Sequence, residues 1–312
     1  GSWDLISSNP YINASQLTID GVNANIFRSK IPKDDPKIKP LYSEALRRIK
    51  FPMYIANTDI NNSYLEYEED TKESDRPGKL TFSNLSLNAQ NLNSGKMKGK
   101  PTAIPMVINC KFFNVSPMHV NWNMNTAHLD DSFTISGNFS DLPATRINQF
   151  VKPYLKIQVA GDIRNLNFSF KGNRSGIGGT FKMKHDQLKV MLMRKDGGKK
   201  KVLSAIANIF VKSSSGDFPE SVVVQEVKRD PTKSFFNLFW KGIQEGVTKT
   251  LLGNKLEVAK KAAKEVKGAA ADAKNAKKKV DEKIQKTTHS QPEEKKEGLL
   301  KRIFKKKDKK GS

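Results

Sequence analysis

Phe133-Thr134-Ile135-Ser136-Gly137-Asn138-Phe139 puts Phe133, Ile135, Gly137 and Phe139 on one side of an extended chain and Thr134, Ser136 and Asn138 on the other. A strict period of two marks a strand with one dry face and one wet face. The same alternation recurs on both sides of this stretch. Val120, Trp122 and Met124 interleave with Asn121, Asn123 and Asn125, and Leu166, Phe168 and Phe170 with Asn165, Asn167 and Ser169. Ile104, Met106, Ile108, Cys110 and Phe112 form another row, as do Ile157, Val159, Gly161 and Ile163. Further candidate strands are 14–19, 22–27, 53–60, 63–68, 79–88, 179–183, 188–193 and 221–227.

Such alternation suits antiparallel pairing better than a parallel sheet covered on both faces. Asp20-Gly21 and Asn61-Asn62 read as two-residue turns between strands, and 172–179 and Asp196-Gly197-Gly198 as hairpin ends. Helical patterns are confined to 41–49, 144–151, 202–211 and 233–252, too few to place a helix between most strands. The predicted fold is therefore mainly β: a large curved antiparallel sheet, an open groove or taco-like form, with a few helices and a helical or disordered basic tail. About 12 strands, ~4.8 Å apart and ~17 Å long, make a dry face on the order of 1,000 Å². A typical soluble monomer exposes an apolar patch of only roughly 300–600 Å². Something must cover the excess, and four helices do not suffice. Either the sheet closes on itself as a sandwich or barrel, or it curls into a gutter whose lining shields lipid chains. Periodicity leaves both open.

Charge divides the chain. Residues 255–312 carry 20 Lys and Arg against nine Asp and Glu, a net +11 of the total +23. This marks a body and a basic tail. Four parts are expected: a β-groove domain over 1–232, an amphipathic capping helix over 233–254, an Ala/Lys-rich spacer over 255–297 and a basic amphipathic tail over 298–312. In the helix, Phe235, Phe236, Phe239, Trp240, Ile243, Val247 and Leu251 fall at helical spacing, suiting a cap on the sheet or a membrane surface. In the tail, Leu299, Leu300, Ile303 and Phe304 cluster beside Lys301, Arg302 and Lys305. That pattern suits contact with an anionic membrane surface. Nucleic acid is not an expected partner, since no recognition motif or aromatic platform faces a basic groove.

The order of certain phrases carries a resemblance. They are Ile60-Asn61-Asn62-Ser63-Tyr64-Leu65-Glu66-Tyr67-Glu68, then Gly78-Lys79-Leu80-Thr81-Phe82-Ser83-Asn84-Leu85, Val120-Asn121-Trp122 and Ile135-Ser136-Gly137. After a short helix ending near Tyr154 come Val159-Ala160-Gly161-Asp162-Ile163 and Phe235-Phe236-Asn237-Leu238-Phe239-Trp240-Lys241. Over about Trp3 to Leu252 the chain resembles the C-terminal part of the AsmA-like proteins of diderm bacterial envelopes, which include the TamB-type bridge-like lipid transporters. The resemblance implies a periplasmic β-groove, an inner-membrane anchor upstream of this chain, phospholipid or other acyl-chain cargo and a link to outer-membrane assembly proteins. It implies no catalytic motif and no cofactor. The dry rows then supply the expected groove lining: Leu80, Phe82, Ile108, Phe112, Trp122, Ile135, Phe139, Ile157, Val159, Phe168, Phe170 and Phe181.

Enzymatic signatures are weak. One cysteine, Cys110, excludes an intramolecular disulfide framework and a Cys-rich zinc site. It falls on an apolar row and reads as a buried, inert thiol. His119, His128, His185 and His289 lack metal-ligand spacing. Asp130-Asp131 and the carboxylates of 66–70 read as solvated charges at turns or strand ends. The glycines of 172–179 lack the Gly-Lys-Ser/Thr ending of a phosphate loop and precede no helix. No apolar run reaches the roughly 18 residues that cross a bilayer.

Overall fold

A computed structural model describes residues 1–72, 74–155, 157–192, 214–216 and 221–252. Its strands are β1 (Ser2–Asp4), β2 (Tyr11–Asp20), β3 (Asn23–Ser29), β4 (Met53–Asp70), β5 (Gly78–Asn93), β6 (Ala103–Phe112), β7 (Ser116–Asn125), β8 (Phe133–Pro143), β9 (Ile157–Gly172), β10 (Gly176–Leu192) and β11 (Val222–Lys228). The helices are α1 (Tyr42–Arg47), α2 (Asn148–Leu155), preceded by a 3-10 turn at Ala144–Ile147, and α3 (Phe235–Leu252). The predicted helix at 202–211, the turn at Asp196-Gly197-Gly198, the spacer and the basic tail lie outside the described residues. No described helix is long and apolar enough to cross a membrane.

All eleven strands belong to one sheet, ordered β1-β2-β4 and then consecutively from β5 to β11, with β3 also on β4. It is mainly β and is not closed into a barrel. Among the described residues there is no second sheet for the dry face to pack on. From β4 to β11 every pairing is antiparallel, but β2 and β3 run parallel to β4. The sheet is thus mostly antiparallel, as expected, with parallel pairing confined to the β2–β3 margin. Residues 30–52, which include α1, supply the long crossover that a parallel pair requires.

Two expected turns are corrected. Asp20 faces Asn61 and Asn23 faces Tyr64, an unchanged offset of 41 residues. β2 and β3 are thus one interrupted strand, and Asp20-Gly21 kinks it without reversing it. Asn61-Asn62 lies inside β4 directly beside that kink. Gly21 has φ +70° and Asn62 φ 48°, and the Gly21 N–H still donates to the Asn61 carbonyl at 3.1 Å. Two facing residues of left-handed backbone bend both strands together and keep their register. Similar bulges sit at Asn84 (φ 49°), at Gly161 (φ 96°) and at Gln187 (φ 46°). Those at Asn62 and Gln187 reset the alternation, so β4 and β10 each read in sequence as two short strands.

The apolar residues share one face. Met106, Trp122, Ile135, Phe170 and Gly179 lie side by side across five strands. The sheet bends toward this face. α2 packs against both β5 and β9, which three strands separate. On a flat sheet those strands stand ~19 Å apart, whereas eight helical residues make a rod only ~12 Å long. Asn148 fixes α2 to β9 by exchanging two 2.8 Å hydrogen bonds with the Val159 backbone.

α3 covers β7 to β11. Phe235 stacks on Trp122 with ring centroids 4.4 Å apart, and Phe239 meets the edge of Phe168 at 5.2 Å. One and two turns further on, the contact positions are Gly242, beside Phe170 and Ile177, and Gly246, beside Phe181. The stripe is therefore a cap on the sheet, as one of the two expectations had it. Phe236 departs from it, at 58% exposure, because it lies about 100° around the helix from Phe235. A Cβ at Gly246 would lie 2.4 Å from Cγ of buried Phe181. Gly246→Ala should therefore lower stability by about 1–2 kcal/mol, even though alanine favours a helix by about 1 kcal/mol over glycine. The urea midpoint measures this, and an unchanged or raised midpoint would contradict the packing.

Candidate functional site

The twelve expected lining residues all reach the dry face, but in two settings. Trp122, Ile135, Phe139, Val159, Phe168, Phe170 and Phe181 are buried, with Trp122, Phe168, Phe170 and Phe181 against α3. Leu80, Phe82, Ile108, Phe112 and Ile157 are half-buried. A void of about 10 Å³ between Trp122, Phe133 and Phe235 has room for about one water and none for a hydrocarbon tail. The larger hollow, about 870 Å³, includes wet-face Asn123, Thr134, Ser169 and Lys171 in its lining.

The dry face is open toward β2 and β3. Leu17, Ile19 and Ile26 are 37%, 38% and 51% exposed. They lie beside Thr58, Ile60 and Tyr67 of β4, and Leu65 and Tyr67 continue the face to Phe82 and Leu80 of β5. Phe82 stacks on Phe112 at 5.3 Å. The result is an apolar strip along one margin of the sheet. Sequence reasoning found Leu80, Phe82 and Phe112 but missed Leu17, Ile19 and Ile26. Their alternation was visible; that none of the described helices covers them was not.

Two carboxylates expected in solvent are buried instead. Asp131, between β7 and β8, accepts hydrogen bonds from Ser43 Oγ (2.8 Å), Arg174 Nε (2.6 Å) and Arg47. Arg47 also donates to the His128 carbonyl at 3.0 Å. The cluster ties α1 to the loops between β7 and β8 and between β9 and β10. Glu69 lies within β4 and is paired with Lys30 at 2.5 Å, with Arg28 at 3.7 Å and with the Tyr67 hydroxyl. Both are organised ion clusters that join chain segments far apart in sequence, which no local pattern reports.

Cys110 is buried, and loss of hydration pushes its thiol up to about 11, as expected of an inert group. His119 lies on the wet face between Asn109 and Asn121, His128 faces Ser132, and His185 is buried. His289 lies outside the described residues, as do the expected membrane contacts Leu299, Leu300, Lys301, Arg302, Ile303, Phe304 and Lys305. Among the described residues no group of three or more His, Cys, Asp or Glu is placed to hold a metal ion. The loop between β9 and β10 is a hairpin, as its glycines suggested. No protein family, curated protein or solved structure matches the chain.

Burial opposes ionisation of Asp131, yet the hydrogen bonds from Arg174, Arg47 and Ser43 together hold its carboxyl below the ordinary value. A lowered carboxyl contributes stability above its unfolded pKa, near ~4, and loses it as pH falls through the folded value. Asp131→Asn should cost about 2–3 kcal/mol near neutral pH, less than a fully buried pair because Arg174 is half exposed. Urea titrations at pH 7 and pH 3 should show the gap between wild type and variant shrinking in acid. A gap independent of pH would rule this role out.

Proposed function

We propose that this chain is a non-catalytic envelope protein whose apolar strip shields lipid acyl chains from water, for transport between membranes or for outer-membrane assembly. The observation that carries the reading is the exposed row Leu17, Ile19 and Ile26 continuing into half-buried Leu65, Phe82 and Phe112. Each CH₂ withdrawn from water on such a surface is worth about 0.8 kcal/mol, so an acyl chain is held by partition and needs no reaction. The phrase order resembling AsmA-like proteins supports an envelope setting. The basic segment Leu299–Lys305 fits contact with an anionic membrane.

A second reading, docking of another protein, has one observation in its favour. Beyond the three residues paired with β1, the outer edge of β2 and β3 joins no strand among the described residues. Such an edge is a template for a partner strand.

Native mass spectrometry after gentle purification, and titration with a fluorescent fatty acid, separate the readings. Under the lipid reading, lipid copurifies and Phe82→Asp weakens fatty-acid binding at least tenfold with the far-ultraviolet spectrum retained. Phe168→Asp, beneath α3, should instead unfold the protein, since an unpaired buried carboxylate is costly. Absence of bound lipid and of fatty-acid binding would overturn the lipid reading.

A further inference from the structure

The apolar strip has a charged end. On the same face, Ala24 lies beside Leu65, Ile26 beside Tyr67 and Arg28 beside Glu69. Lys30 follows, and α2 closes this end, with the Lys30 ammonium 4.4 Å above the centre of the Tyr154 ring. Arg28 and Lys30 are each 26% exposed, whereas Glu69 is 5% exposed. Lys233 also reaches this end through Asp34, which bonds Arg28 at 3.2 Å. Asp70 also lies here and accepts from the Lys30 backbone N–H at 3.3 Å, so three cations meet three carboxylates, yet Arg28 and Lys30 keep part of their surface open while Glu69 is buried.

We propose that the Arg28–Lys30 end is a headgroup site, and that the ligand of the strip is an anionic phospholipid held there by its phosphate. The inference rests on the acyl-binding reading above. A phosphate beside apolar surface experiences a weaker dielectric than in water, so each cation attracts it more strongly. The planar Arg28 guanidinium matches two phosphate oxygens, a geometry that a point charge lacks. From Arg28 back to Ile19, nine residues at ~3.3 Å give a track of ~30 Å along the interrupted strand. One acyl chain spans about half of a ~30 Å bilayer core, so the track is long enough for it. A zwitterionic headgroup brings its own cation toward Arg28 and Lys30 and gains less.

The test uses the full chain with monomeric short-chain phosphatidylglycerol and phosphatidylcholine of identical acyl chains, which avoids capture of whole vesicles by the basic tail. Wild type should bind phosphatidylglycerol roughly tenfold more tightly, a preference that added salt reduces. In the variant R28Q/K30Q/E69Q, which removes the cations without stranding Glu69, the two affinities should converge. A photoreactive phosphatidylglycerol headgroup should label residues 26–31 or 66–70 of the wild type, a readout independent of the variant's folding. Equal binding of both lipids, a preference surviving in the folded variant, or labelling confined to 255–312 would each overturn the headgroup site while leaving the acyl strip standing. Failure of both lipids to bind would remove the strip reading and this inference with it.

Discussion

One face of this eleven-stranded sheet is apolar from β2 to β11, and water must be kept from it. An antiparallel sheet tolerates one solvated face, and here the rows of Asn, Ser and Thr supply it. The other face has no second sheet to pack on among the described residues. α3 covers it over β7 to β11, and α2 lies against it near β5 and β9. Among the described residues, α3 leaves the apolar side chains of β2 and β3 exposed, and a hydrocarbon chain lying there displaces no part of α3. The candidate site is thus defined by where the cover ends.

Curvature and cover depend on each other. Bulges at Asn62, Asn84, Gly161 and Gln187 add local twist and let the long strands bend. Bending brings β5 and β9 to one short helix. Gly242 and Gly246 then let α3 lie close to Phe170 and Phe181. Each glycine is unfavourable inside a helix by about 1 kcal/mol, which close packing against buried rings offsets. The ion clusters pin elements around this core: Asp131 joins α1 to two loops, and Glu69 joins β4 to Arg28 and Lys30. Taking a carboxylate out of water is favourable only with such partners.

Much of the fold was legible before any coordinates. The rows of β6, β7 and β8, the hairpin near Gly172 and the helical stripe starting at Phe235 followed from periods of two and 3.6. The errors share a cause. Asp20-Gly21 has the composition of a reversing turn, yet it kinks a strand whose direction is fixed by its pairing with β4. Asp131 and Glu69 resemble solvated charges until Arg47, Arg174, Arg28 and Lys30 arrive from other segments. Leu17, Ile19 and Ile26 were seen as strand residues but not as a surface.

Side-chain alternation is a local property, because successive Cβ atoms on an extended chain must point to opposite sides. The sequence by itself therefore determined that this protein is mainly β and which side of each strand is apolar. Whether an apolar residue meets a helix, a neighbouring strand or solvent depends on residues tens of positions away. Trp122 and Phe82 belong to the same kind of row, yet Phe235 of α3 lies on one, whereas the other stacks on Phe112 of the neighbouring strand. Only the tertiary structure decided that, because cover arises where separate segments come together and leaves no periodic trace in either of them.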